Sequence, residues 1–294
     1  MKYRKIVSIL VICIVLFSLI SCMAGLFSIG GVGVHEFKTI NNEVVKIYGS
    51  GIYKNDSVAI AAQGKASDFV TIVMGIPLLA VSLYFACKGS FRGRILLTGT
   101  LGYFLYTYMS YTFLWMYNRL FIIYVLLMSL SLYAFILCMM SFDMENIKSY
   151  FHKKLPVKFL GGFQIFIAFT IGMLWLGKLA PSIFQGKVPV GLEQYTTLVI
   201  QGMDLGIVVP AAFLSGILLI KRKPFGYLLS SVIIIKGITM LSSISAMIIN
   251  QALNSVSMGA AEVIIFPFFN IIAIICLVIL LKNIEEIKNL NVIK

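Results

Sequence analysis

Runs of about 20 apolar residues recur along the whole chain, and they limit its fold more than any other feature. A helix rises 1.5 Å per residue, so a run of this length crosses roughly 30 Å of hydrocarbon. Only 12% of the residues are charged, against about a quarter in soluble domains. No stretch is left over for a separate soluble domain. The sequence therefore predicts an all-α integral membrane bundle that forms a single polytopic domain over residues 1–294.

The apolar windows and the basic residues between them predict the topology. Most Lys and Arg residues lie in segments that share a side with the N-terminus, such as Lys2–Lys5 and Lys221–Lys223. Basic residues mark the cytoplasmic side, so both termini are expected in the cytoplasm and the protein in the plasma membrane. The net charge of +13 then reflects helix orientation, and no nucleic-acid partner is expected. An outer loop is expected at about 30–67. Eight transmembrane helices are predicted, at about 6–29, 69–87, 95–117, 120–141, 158–177, 197–220, 225–249 and 261–281.

The first apolar run allows a second interpretation. The basic residues Lys2–Lys5 precede it, and the stretch Leu19–Cys22 fits the cleavage box of a lipoprotein signal peptide. Cleavage would leave seven spans and a lipidated Cys22. Because Met23–Phe27 remain apolar where a lipoprotein tether turns polar, an uncleaved first span is the favoured interpretation.

Two charged residues lie well inside apolar segments, and they define the candidate site. They are Asp204 in the sixth predicted helix and Lys236 in the seventh. A charge in hydrocarbon costs a few kcal/mol, so such residues usually face a partner or a water-filled cavity. The helical depths of the two side chains allow a direct or water-bridged pair. A structural ion pair and a ligand-facing role both remain open.

Each charge belongs to a stripe of polar residues with helical spacing. Gln201 precedes Asp204 on one face of the sixth helix, and Thr239 and Ser243 follow Lys236 on one face of the seventh. These faces predict an outward-facing polar pocket with Asp204 and Lys236 at its floor and tyrosines of the third helix on its wall. Asp68, Glu262 and Asn270 are further candidate ligand-binding residues, although Asp68 and Glu262 also fit solvated helix ends.

Motifs for other chemistries do not occur in the sequence. It contains no nucleotide-phosphate loop, no H-E-x-x-H zinc pair, no G-x-S-x-G elbow and no C-x-x-C pair. His35 and His152 fall on opposite sides of the predicted topology and cannot share a metal. The sequence therefore predicts no cofactor, no metal site and no catalytic residue.

Three stretches resemble an uncharacterised family of bacterial and archaeal polytopic membrane proteins. The resemblance covers predicted helices two to seven, and the family has no established activity. It therefore implies the same helix plan and nothing about chemistry. The stretches are Asp68-Phe69-Val70-Thr71 leading into Gly75-Ile76-Pro77-Leu78-Leu79; Gly99–Tyr103 through Tyr111 to Ser129–Tyr133; and Met203–Pro210 with Lys223–Tyr227 and Lys236-Gly237.

Three hypotheses for function follow from the sequence. The preferred one is a transporter or binding protein for a small polar or anionic solute or a lipid head group, with the lipid bilayer as its surroundings. The second is a membrane enzyme acting on a lipid-linked substrate through Asp204 or Glu262; overall, a non-enzymatic role is favoured. The third is a non-catalytic assembly or sensor subunit that uses the outer loop, with unknown protein partners.

Overall fold

The computed structural model describes residues 2–286. Within this range the chain folds into eight long helices, and seven of them are long and apolar enough to cross a membrane. Each helix packs against the next one along the chain, with one exception. Helices α4 and α5, which the connection 140–156 joins, do not pack closely against each other. The helices are α1 (Arg4–Phe27), α2 (Val58–Cys87), α3 (Phe91–Phe113), α4 (Phe121–Met139), α5 (Val157–Gln185), α6 (Val199–Ile220), α7 (Pro224–Leu253) and α8 (Ala260–Lys282).

Helix α3 is the long helix that is not apolar enough to be counted as a membrane span. It packs against α2, α4 and α7, and most of its side chains are buried within the protein. Thr98, Thr100 and Tyr103 are among the fully buried ones. A helix enclosed by other helices can carry polar residues because it does not face lipid. This position explains the lower hydropathy of α3.

The segment between α1 and α2 is shorter than the sequence predicted. Helix α2 begins at Val58, where the hydroxyl of Ser57 accepts a hydrogen bond from the backbone N–H of Ile60 at 3.2 Å. The connection therefore covers residues 28–57, and residues 58–67 of the predicted outer loop are helical. It contains an antiparallel hairpin of β1 (His35–Lys38) and β2 (Val44–Ile47). We call this end of the bundle the hairpin end.

Two helices contain a π-helical turn. One is Thr71–Gly75 in α2, and the other is Asp204–Val208 in α6. In each case a proline, Pro77 or Pro210, stands two residues after the π turn. Proline has no N–H and collides with the carbonyl four residues earlier, so a widened turn accommodates it. The π turn also rotates the residues that follow it around the helix axis.

The opposite end of the bundle is held together by residues 283–286, which we call the clasp. The backbone N–H of Glu285 donates to the carbonyl of Tyr150, and that of His152 donates to the carbonyl of Asn283, both at 2.8 Å. The carboxylate of Glu286 accepts from the Ser90 hydroxyl at 2.6 Å and from the N–H of Phe91 at 2.8 Å. The clasp therefore caps the first turn of α3.

Candidate functional site

A cavity of about 550 Å³ lies among α2, α3, α5, α6, α7 and α8 and reaches the hairpin end. Apolar side chains such as Ile171, Met240 and Ile244 form much of its wall. Lys236 and Gln251 of α7 both line it, and about 22 Å of helix separates them at 1.5 Å per residue. The cavity is thus elongated along α7.

Asp204 is held by two neutral donors in this cavity. The Tyr106 hydroxyl donates to Oδ1 at 2.7 Å, and the indole N–H of Trp175 donates to Oδ2 at 2.9 Å. These residues come from α3 and α5, while Asp204 begins the π turn of α6. Both carboxylate oxygens therefore have a partner, which offsets part of the cost of burying the charge.

Lys236 contacts the same tyrosine from another side. Its ammonium nitrogen lies 4.1 Å from the centre of the Tyr106 ring, a cation–π distance. Among residues 2–286, no carboxylate lies within 4.0 Å of that nitrogen. Of the direct or water-bridged pair that the sequence allows, the direct contact between Lys236 and Asp204 is therefore absent from the described range. Tyr106 stands between the two charges and contacts both.

A second pair of charges continues this arrangement. Lys178 of α5 forms an ion pair with Glu262 of α8, and its ammonium also lies 5.2 Å from the centre of the Trp175 ring. The indole N–H of Trp175 in turn donates a hydrogen bond to the carboxylate of Asp204. Six cavity-lining side chains are thus connected in one series, which we call the charged wall. In order they are Glu262, Lys178, Trp175, Asp204, Tyr106 and Lys236.

The predicted site residues divide into two sets. Asp204, Lys236, Gln201 and Glu262 line the cavity. The other four lie away from it, because their helices present different faces to the cavity than the spacing implied. They are Thr239, Ser243, Asn270 and Asp68.

On α7 the polar stripe faces a neighbouring helix. Thr239 and Ser243 are buried, and the side-chain amide of Asn250 donates to the carbonyl of Ala62 in α2 at 2.7 Å. The cavity is lined instead by the face that carries Met240 and Ile244, with Lys236 at its edge. The expectation that the whole stripe faces the pocket was wrong, because polar groups can also face another helix. Asn270 behaves similarly and pairs with Ser242 of α7.

Asp68 is a buried residue and not a solvated helix end. It is 1% exposed, since α2 begins well before it. Its carboxylate accepts hydrogen bonds from the hydroxyls of Tyr53, at 2.5 Å, and Tyr111, at 2.8 Å. A Cβ on Gly25 would lie 1.8 Å from Oδ2, so α1 requires glycine there. The tyrosines of α3 thus divide: Tyr106 lines the cavity, whereas Tyr111 belongs to this cluster.

Trp175 and Lys178 were not among the predicted site residues. The apolar window predicts that the fifth helix ends at 177, which leaves Lys178 in a loop, whereas α5 continues to Gln185. The spacing of residues along α5 does indicate the face that carries Trp175 and Lys178. Gln164, Ile167, Ile171, Trp175 and Lys178 follow one another at intervals of three, four, four and three, and all five line the cavity.

The fold and the cavity define a class of protein, a multi-pass helical bundle with a cavity lined by charged and aromatic side chains. No group of three or more His, Cys, Asp and Glu side chains that could hold a metal occurs between residues 2 and 286. In comparisons with protein-family models, curated proteins and solved structures, the chain matches none. The resemblance noted from the sequence therefore stays a prediction.

Proposed function

We propose that the protein binds a small polar or anionic solute, or a lipid head group, in the cavity, and that transport across the plasma membrane is the use of this site. Lys236 is the positive contact. Asp204 is its counter-ion, acting across the Tyr106 ring. All eight long helices span the bilayer in this proposal, with both termini in the cytoplasm and the hairpin end outside.

One observation carries the proposal. The Lys236 ammonium lines the cavity over the face of the Tyr106 ring, yet it has no hydrogen-bond acceptor within the described range. An ammonium group has three donors, and donors inside a protein normally have acceptors. The oxygen atoms of an acid or a phosphate would supply them. The other lysine of the cavity, Lys178, already has Glu262.

The same contacts favour binding over acid–base catalysis. Asp204 accepts from Tyr106 and Trp175, and Glu262 is paired with Lys178. Each carboxylate retains free lone pairs, but these contacts hold it against protein groups, as a counter-ion requires. Both carboxylates suggested for the enzyme hypothesis are thus engaged with protein groups.

Fluorescence of Trp175 can test the proposal directly. The chain has two tryptophans, so Trp115→Phe leaves Trp175 on the charged wall as the reporter. In that background, purified full-length protein is titrated with inorganic phosphate, acetate and glycerol phosphate. We expect a saturable change in emission with at least one anion. Lys236→Gln should weaken that response at least tenfold, because a hydrogen bond to a charged group is worth about 1.5–3 kcal/mol.

The matched control is Lys221→Gln, which removes an exposed lysine at the end of α6 outside the cavity. Its titration should equal that of the parent. Circular dichroism establishes that each variant is folded. A folded Lys236→Gln protein with unchanged affinity, or a folded parent that binds none of the three anions, would contradict the proposal.

A further inference from the structure

Asp56 joins three connecting segments at the hairpin end. Its Oδ1 accepts a hydrogen bond from the backbone N–H of Met116 at 2.9 Å and from the hydroxyl of Tyr195 at 3.0 Å. The same Tyr195 hydroxyl accepts from the N–H of Ser57 at 3.3 Å. Asp56 itself is only 1% exposed. The segment 186–198, which precedes α6, is thus attached to the connection between α1 and α2.

Three oxygen atoms at this junction are buried without a hydrogen-bond partner. They are Oδ2 of Asp56, Oε2 of Glu193 and Oε1 of Gln194. These residues belong to the α1–α2 connection and to the segment 186–198. The two are in contact, since the side-chain amide of Gln194 donates to the carbonyl of Asn55 at 3.5 Å. Buried acceptors nearly always have a partner, and two of these three oxygens belong to carboxylates, so a positively charged ligand is the partner that suits them best.

The charges at the junction support this conclusion. Asp56 and Glu193 lie close enough for the two carboxylate charges to repel each other. Neither Asp56 nor Glu193 forms an ion pair with a lysine or arginine of the described range. A positive ligand would relieve this repulsion.

We infer that Asp56, Glu193 and Gln194 bind a hard divalent cation, Ca²⁺ in the first instance, between the segment 186–198 and the α1–α2 connection. The two carboxylates and one amide oxygen are the donors that Ca²⁺ prefers, and its irregular coordination tolerates donors from two loops. No three His, Cys, Asp or Glu side chains of residues 2–286 form a metal group, so the amide oxygen of Gln194 is the third protein donor of this site. The inference stands apart from the anion site at Lys236.

The position of the site gives the cation a role. Glu193 and Tyr195 also line the cavity. A cation at the junction would hold the segment 186–198 against the α1–α2 connection and so fix one side of the cavity at the hairpin end. Binding of Ca²⁺ would therefore control access to the cavity.

Two measurements on the full-length protein in detergent test the inference. The first is the Tm with Ca²⁺, with Mg²⁺ and with a chelator, where Ca²⁺ should raise it by several degrees because it binds the folded state alone. The second is tryptic cleavage at Lys187, an exposed residue of the segment 186–198. Ca²⁺ should slow that cleavage several-fold. Isothermal titration calorimetry then gives the stoichiometry, expected to be one.

Glu193→Gln is the decisive variant, because it keeps the size and shape of the side chain and removes its charge. It should fold and lose the response to Ca²⁺, and Asp56→Asn should do the same if it folds. The control Glu145→Gln, an exposed acid outside the junction, should respond as the parent does. An unchanged Tm and cleavage rate with Ca²⁺, or an equal response in Glu193→Gln, would overturn the inference.

Discussion

At the scale of single residues, ionisation of Asp56, which lies outside the long helices, is expected to change the stability of the fold. Three groups surround its carboxylate from other segments: the N–H of Met116, the hydroxyl of Tyr195 and the acid Glu193. Tyr124 of α4 also lies within reach of its charge. Burial opposes ionisation more strongly than the two hydrogen bonds favour it, which sets the pKa at about 7.

This pKa predicts how stability changes with pH when no divalent cation is present. Asp56 has a folded-state pKa above its ordinary value of 3.8. Its contribution to stability is therefore complete below about pH 4 and is lost as the pH rises through about 7. In chelator, the Tm should fall between pH 6 and pH 8.

The comparison is with Asp56→Asn, which cannot ionise. Its Tm should change less between these two pH values, as measured by circular dichroism. A parent protein that becomes more stable from pH 6 to pH 8 would contradict the sign of the pKa shift.

The sequence predicts the charged residues of the site but not how they are arranged. Intramembrane charge alone led to Asp204 and Lys236, because few side chains are so costly in hydrocarbon. It did not reveal that Tyr106 separates them, since the rotation of α3 relative to α6 and α7 depends on packing. Asp68 is predicted at a helix end because its apolar window begins at 69, whereas α2 begins at Val58 and Asp68 lies buried inside the helix.

At the scale of elements, the cores of the helices were predictable and their ends and faces were less so. Each predicted window overlaps one long helix of the described range. The face of α6 changes at its π turn. Two turns of 3.6 residues from Asp204 lead to Ala211, whereas Ala212 lines the cavity. Periodicity assumes 3.6 residues per turn, and a widened turn breaks that assumption.

The contact between α5 and α6 depends on a pair of glycines. A Cβ on Gly161 would lie 2.7 Å from the carbonyl oxygen of Gly216, and a Cβ on Gly216 would lie 2.6 Å from that of Gly161. Small residues allow two helix backbones to approach this closely. A Cβ on the neighbouring Gly162 would meet no atom within 4 Å, so Gly162 lies outside this contact.

Alanine at these two neighbouring positions should change the stability of the protein differently. Gly161→Ala forces α5 and α6 apart and should destabilise the protein by about 1–3 kcal/mol. Gly162→Ala meets no obstacle and should be neutral or stabilise by up to about 1 kcal/mol through helix propensity. The Tm of each purified variant measures the difference. Equal effects of the two substitutions would show that this contact is not tight.

At the scale of the whole molecule, two hydrophobic cores lie side by side. One is formed mainly by α1 to α4, and the other mainly by α5, α7 and α8 together with part of α3. Helix α7 packs against α2, α3, α6 and α8, so it connects the two. The sequence predicted one polytopic unit, but it could not predict which helices meet across that unit, because contacts distant in the chain leave no local pattern.

The clasp is the long-range contact at the end opposite the hairpin. Burial raises the pKa of Glu286, but hydrogen bonds from Ser90 and from the N–H groups of Arg92 and Phe91 outweigh it, so the pKa is lowered overall. Its contribution to stability is present above the ordinary value of 4.5 and is lost as the pH falls through the lower folded-state value.

Glu286→Ala should therefore destabilise the protein by about 1 kcal/mol, the usual cost of losing a helix cap. Hydrogen exchange at the amides of Phe91 and Arg92 should become faster at neutral pH. Glu285→Ala serves as the control, since the bond from Glu285 to Tyr150 uses its backbone. Faster exchange in the control as well would mean that the Glu286 carboxylate is not the cap.

The charged wall has a consequence for the response to voltage. Its two lysines and two acids sum to a formal charge of zero. A membrane potential of 100 mV acts on each elementary charge with about 2.3 kcal/mol, but on a neutral group that moves as one body it does no net work. If the protein transports its ligand as proposed and the wall changes sides during the cycle, the electric field drives only the bound ligand. Any current would then report the charge of the transported molecule.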